Sequence, residues 1–354
     1  MDITYNTKES TNNLNSMKNK VNLFRKELYK NDKKFLEETN KIIDINNLYN
    51  PPEGRFTIPY KGVEFECLYK KNTESNRLYV IFSGSRKAGN IQPTFKRWSY
   101  YKYMDGSMLN IDDPTCKLYK ELVLGWYYGT KNECYLDYII EIVQSFALQN
   151  GIKSNDIVFF ASSGGGYAAL YCASKIKHST AAVINPQIRL TLYDYAKWFQ
   201  KITNINLLEN DLFERNKLPE LINQNKESRF IIIINIESDV DMVQLEELCK
   251  VLNESYNYGL TKLRDNILCW TYQAVSSMPH NAQEYPAMFM MIEHLINNFD
   301  KYNYLKNIYT LLSELWYDHY NLICQTILDK GIMPSEKVLD FPVDCNTLTG
   351  SVNL

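Results

Sequence analysis

Ser163 lies in the run Ala161-Ser162-Ser163-Gly164-Gly165, with a small residue two positions before it and another two after. The apolar stretch Ile157 to Phe160 leads in, and an Ala- and Leu-rich stretch from Tyr167 to Ala173 leads away. The first reads as a buried strand and the second as a helix. A serine at such a corner takes a strained backbone conformation that exposes its hydroxyl, and only small neighbours let strand and helix close up around it. This is the pattern of a nucleophile elbow, with Ala161 where glycine is commoner. The helix start also aims amides at the same spot, so the Gly164 N–H is an expected oxyanion donor. A phosphate-binding loop fits less well, because Tyr167 follows Gly166 where Lys-Ser/Thr is required.

A nucleophilic serine needs a base, and the base needs an acid to orient it. Of the four histidines, His178 follows the elbow helix on a Lys-rich stretch, and His294 and His319 fall in helical patterns. His280 alone follows the last strand, Asn266 to Ala274, in the loop Ser276-Ser277-Met278-Pro279-His280. The acid is expected after the strand Phe230 to Ile236, which ends in Glu237-Ser238-Asp239. Asp239 comes first after the strand and is the expected partner. Asp241, whose ordinary role would be helix capping, and Glu237 compete with it. Upstream, the strand Leu78 to Phe82 runs into Ser83-Gly84-Ser85-Arg86. A small-Gly-small loop there supplies the second oxyanion donor, the Ser85 N–H. Arg86 beside it is a candidate for holding an anionic donor or glycan. Asp112-Asp113 before Pro114 reads as a turn and helix cap, and no metal site is expected, since no His-rich ligand set accompanies the pair.

These residues require strands that end side by side. Strands are expected at Arg55 to Tyr60, Val63 to Tyr69, Leu78 to Phe82, Met108 to Ile111 and Ile157 to Phe160. Further strands follow at Thr180 to Ile184, Phe230 to Ile236 and Asn266 to Ala274. Helical periodicity marks Tyr119 to Gly129, Tyr135 to Gln149, Val243 to Asn253 and Glu284 to Phe299. Alternation of strands and helices implies the α/β class with a mostly parallel central sheet, whose functional residues gather at the carboxyl ends of strands. The chain order Ser163, Asp239, His280 is the order of an α/β-hydrolase triad. Residues 187–228 read as a helical cap insertion, whose Tyr193, Tyr195 and Trp198 are candidates to line a substrate cleft. Residues 1–54 form an N-terminal segment with a helix from Met17 to Ile43, residues 55–300 the hydrolase domain, and residues 301–354 a C-terminal helix to about 330 and a tail. The two terminal helices are candidate surfaces for a second copy or a glycan-synthesis partner.

The formal net charge of −2 over 354 residues offers no basic field for nucleic acid. No apolar run reaches the roughly 18 residues needed to span a bilayer, and the polar start Met1-Asp2-Ile3-Thr4 lacks a signal-peptide core. Eight scattered cysteines without a C-x-x-C pair suit free buried thiols and a cytoplasmic location.

The run from Ala161 to Leu170, together with Ala182-Val183-Ile184-Asn185-Pro186-Gln187 and Asp113-Pro114-Thr115, resembles a bacterial subgroup of α/β-hydrolase-fold serine enzymes. That subgroup includes capsule and glycan O-acetyltransferases and the acetyltransferase component of accessory secretion systems. The resemblance covers roughly residues 60–300. It implies serine-dependent transfer of an acetyl group to a glycan hydroxyl, with acetyl-CoA as donor and no bound cofactor. A carboxylesterase or deacetylase of the same fold would carry the same residues, and a non-catalytic assembly partner is the remaining alternative.

Overall fold

A computed structural model describes residues 41–315 apart from 91–92, 103, 210, 274–278 and 282–285. Nine strands form one sheet: β1 (Gly54–Tyr60), β2 (Val63–Lys70), β3 (Leu78–Phe82), β4 (Ser107–Ile111), β5 (Ile157–Ser162), β6 (Thr180–Ile184), β7 (Arg229–Asn235), β8 (Gly259–Arg264) and β9 (Ile267–Tyr272). Their spatial order is β1-β2-β4-β3-β5-β6-β7-β9-β8. The six strands from β4 across to β9 run parallel, while β1, β2 and β8 pair antiparallel at the two edges. With the elbow after β5, this order is that of the α/β-hydrolase fold.

Eight α-helices accompany the sheet among the described residues: α1 (Pro114–Leu118), α2 (Tyr135–Gln149), α3 (Ser163–Lys175), α4 (Tyr195–Thr203), α5 (Leu218–Gln224), α6 (Asp239–Leu252), α7 (Pro286–Asn297) and α8 (Tyr302–Leu315). The central strands are buried along their whole length because both faces are covered. Val80, Phe82, Phe159 and Ala161 point into the core shared with α2, α3, α5 and α6. Tyr79, Ile81, Val158 and Phe160 point into a second core with Trp98, Tyr100 and the inner faces of α7 and α8. β8 and β9 are sealed by α8, where the Trp270 indole donates to Ser313 Oγ at 2.8 Å.

Several expectations are corrected. Residues Tyr119 to Gly129 are not a helix. The Asp113 carboxylate draws that segment inward by accepting from the Gly125 and Tyr127 amides at 3.0 and 3.1 Å, and Trp126 and Tyr127 take positive φ. Residues 41–43, expected to end a helix, instead lie beside β1, with Ile43 N–H donating to Thr57 O at 2.9 Å. The edge strand β8 was not expected. The proposed substrate-holding Arg86 is buried elsewhere, as described below. The expected helix over residues 17–40, the loop residues Ser276 to Met278 and everything after 315 lie outside the described residues.

No helix among the described residues is long and apolar enough to cross a membrane. The six described cysteines are free and buried.

Candidate active site

Ser163 begins α3 directly from β5, at φ 53°. The three glycines after it are packing requirements. A Cβ on Gly164 would strike Leu124 Cδ1 at 2.3 Å, one on Gly165 would meet the carbonyl oxygens of Phe82 and Ser83 at 2.9 Å, and one on Gly166 would meet Pro186 Cβ at 2.7 Å. Gly165→Ala is therefore expected to destabilise the protein by about 1–3 kcal/mol. The obstacle is backbone at the end of β3, where Phe82 is paired with Ile111 of β4, so it cannot yield without disturbing that pairing. An unchanged urea midpoint would contradict this close approach. Below the elbow, the Arg97 guanidinium donates to Ser162 Oγ and, at 3.2 Å, to Phe82 O, and lies 5.5 Å from the Phe160 ring centre. It ties the ends of β3 and β5 together. Sequence reading passed over Arg97 because its partners are a strand-end carbonyl and hydroxyl far away in the chain.

The structure brings Ser163 and His280 together, with Ser163 Oγ 2.8 Å from His280 Nε2. His280 Nδ1 lies 2.8 Å from Asp241 Oδ1. Asp241, and not the expected Asp239, is thus the residue on the imidazole. Asp239 and Asp241 open α6, and two positions on a helix point roughly 200° apart. Asp239 therefore faces solvent, while Asp241 falls on the buried stripe it shares with Gln244, Leu245, Leu248 and Leu252. Glu237 is exposed and accepts from Gln273 Nε2 at 2.6 Å. Burial raises the Asp241 carboxyl above the usual carboxylate range, while its hydrogen bond to His280 pulls it back down.

Asparagines at the ends of two neighbouring strands hold the histidine loop. Asn185 Nδ2 donates to His280 O at 3.3 Å, and Asn235 Nδ2 donates to Pro279 O at 3.1 Å. The two are coupled, since Asn185 Oδ1 accepts from the Asn235 amide at 2.8 Å. The Tyr193 ring lies 5.8 Å from the His280 ring, forming one wall of the site. Gln187 is also at the nucleophile: its Nε2 is 3.4 Å from Ser163 Oγ, and its Oε1 accepts from the Trp126 indole N–H.

The loop after β3 folds over the elbow. A Cβ on Gly84 would lie 3.5 Å from Ser163 Cβ and 4.0 Å from Gly164 N. Ser85, next in the chain, is exposed, and the Arg86 amide is fixed on Val123 O at 2.7 Å. Trp198 is exposed and carries Lys201 5.1 Å over its ring, while Tyr195 OH accepts from the Val123 amide at 2.9 Å.

Arg86 does not face a substrate. Its guanidinium is buried against Asp112 at 3.0 Å and donates to Asp113 O at 3.2 Å, an anchor between the ends of β3 and β4. Desolvation outweighs this partner and pushes the Asp112 carboxyl up to about 6. An unfolded aspartate titrates near about 4, so the folded state holds its proton more tightly between those values. The contribution of Asp112 to stability is therefore expected to fall as pH rises from about 4 to about 6 and then to level off. Urea denaturation across that range should show the slope, and Asp112→Asn should flatten it.

Among the described residues no group of His, Cys, Asp or Glu could hold a metal ion. No protein-family profile and no curated protein sequence matches the chain. Among solved structures, it is similar to the capsule O-acetyltransferase of Neisseria meningitidis serogroup A, a variant in complex with CoA. That likeness has 19% identity, covers 73% of this chain and 98% of the other, and has a TM-score of 0.49. The Glycosylation Associate Protein (Gap123) complex from Streptococcus agalactiae is similar over 68% of this chain and 46% of the other, at 18% identity and TM-score 0.48. A hyperthermophilic esterase from Pyrobaculum calidifontis is similar over 73% and 86%, at 12% identity and TM-score 0.47. These likenesses concern the path of the chain.

Proposed function

We propose that the protein is a serine acyltransferase working through an acyl-enzyme on Ser163. The observation that carries this reading is the continuous chain from Ser163 Oγ to His280 Nε2, and from His280 Nδ1 to Asp241, each link 2.8 Å long. His280 takes the serine proton as Oγ attacks an acyl carbonyl, then returns it to the leaving group. Asp241 holds the imidazole tautomer that keeps Nε2 free to accept and stabilises the imidazolium that forms. The Gly164 and Ser85 amides receive the oxyanion, where loss of one donor typically costs about 10²–10³ in rate.

The acyl group we assign is acetyl, the donor acetyl-CoA and the acceptor a hydroxyl of a bacterial surface glycan, whether capsule, lipopolysaccharide or glycoprotein glycan. This finer assignment is supported by the resemblance carried by the elbow, by Asn185-Pro186-Gln187 and by Asp113-Pro114-Thr115. The donor belongs to the cytoplasm, and so would the reaction. Transfer differs from hydrolysis only in which oxygen takes the acyl group, so a bound sugar hydroxyl must outcompete water at the ester carbon.

The test offers acetyl-CoA with and without a panel of bacterial polysaccharides and follows CoA release and acetyl incorporation by mass spectrometry. Acceptor-dependent incorporation that disappears in Ser163→Ala is expected. Removal of acetyl groups from acetylated glycans without any addition would make the protein an esterase. Failure to react with serine probes or esters, with stoichiometric co-purification of a partner, would make it an assembly component.

A further inference from the structure

Gln187 is wholly buried and fixed at three points. Its backbone N–H donates to Ser163 O at 3.1 Å, and Gly166 lets Pro186 approach α3 closely enough to make that bond. Its side-chain Oε1 accepts from the buried Trp126 indole. An indole N–H can only donate, so this contact dictates which end of the amide is oxygen. The NH₂ end must then face Ser163 Oγ, 3.4 Å away. That is a long hydrogen bond, of the kind that tightens as a reaction complex forms. With the serine proton directed to His280, a lone pair on Oγ is left for Gln187.

We infer that Gln187 is a further catalytic residue, whose amide donates to Ser163 Oγ and speeds breakdown of the acyl-enzyme more than its formation. The inference rests on Ser163 being the nucleophile. Its logic is differential binding. In the free enzyme Oγ is a hydroxyl oxygen whose own proton is given away, and it accepts well. Gln187 therefore stabilises that ground state about as much as the attacking transition state. In the acyl-enzyme Oγ is an ester oxygen and accepts poorly. As the acceptor oxygen bonds to the acyl carbon, its proton passes to His280 Nε2. The carbon–Oγ bond then breaks with its electron pair moving to Oγ, and the proton on His280 follows. Relative to the poorly accepting ester oxygen of the acyl-enzyme, charge grows on Oγ through this step, and the Gln187 N–H meets it.

The experiment is stopped-flow kinetics with p-nitrophenyl acetate, in which the burst reports acylation and the steady state reports breakdown. Gln187→Met should slow breakdown about ten-fold, as expected for one hydrogen bond, and change the burst rate less than about three-fold. Gln187→Glu keeps the shape and the acceptor for Trp126, and at a pH high enough to ionise this buried carboxyl it has no proton to give and repels charge on Oγ. It should lose more in breakdown than Gln187→Met, and it carries the test should the methionine variant fail to fold. Unchanged breakdown in both variants, or equal loss in both steps, overturns the inference. Absence in wild type of both a burst and a fluorophosphonate adduct on Ser163 would remove the nucleophile itself. A wild-type adduct with unchanged breakdown in the variants would sink the role of Gln187 alone.

Discussion

Ser163→Ala is expected to lower kcat by about 10⁶-fold, the scale on which a triad nucleophile acts, and to abolish labelling by a fluorophosphonate. The loss should be chemical and not structural. Ser163 has a positive φ of 53°, which strains any residue with a Cβ, and alanine carries the same Cβ at the same cost. The Ser163 Cβ packs against backbone, with Gly84 close above it, and only its hydroxyl reaches side chains, those of His280 and Gln187. The alanine variant should therefore unfold at the wild-type urea midpoint. Ser163→Gly is the matching control, because it also lacks the hydroxyl but relieves the strain, and it should gain about 1–3 kcal/mol of stability. Wild-type labelling in the alanine variant would show that the reactive hydroxyl lies elsewhere.

The parts of this molecule legible in the sequence are those that local pattern controls. The strands from β3 to β7 are apolar runs because both of their faces are buried, and each such run declares itself. The elbow is legible because its small residues follow from one tight corner. Readings failed where a partner far along the chain decides the outcome. The stretch 119–129 has a helix-like spacing of apolar residues, yet the Asp113 carboxylate at the end of β4 gathers its amides into turns. Arg86 reads as a cation beside an oxyanion loop until β3 and β4 are known to be neighbours, which places Asp112 against it. Gln187 stood in a noted motif, but its chemistry depends on the Trp126 indole that orients its amide.

Asp241 is a different case, because the signal was present and local. Counting from Leu252 back along α6, the buried positions 249, 248, 245, 244 and 241 recur at helical spacing, and the last of them is an aspartate. A carboxylate at the head of an otherwise buried stripe is costly unless it has a partner, which argues for a role beyond capping. Asp241→Asn is accordingly expected to reduce kcat by about 10⁴-fold. The asparagine amide can donate to Nδ1, which favours the tautomer whose proton sits on Nε2, where it cannot accept from Ser163. Asp239→Asn removes an exposed charge in the first turn of α6 and should leave kcat within about two-fold, at a stability cost of about 0.3–1 kcal/mol from the helix dipole. Rates of p-nitrophenyl acetate turnover for both variants decide between the two acids. A loss confined to Asp239→Asn would return the acid role to the first residue of the helix and would mean that the imidazole changes partners when substrate binds.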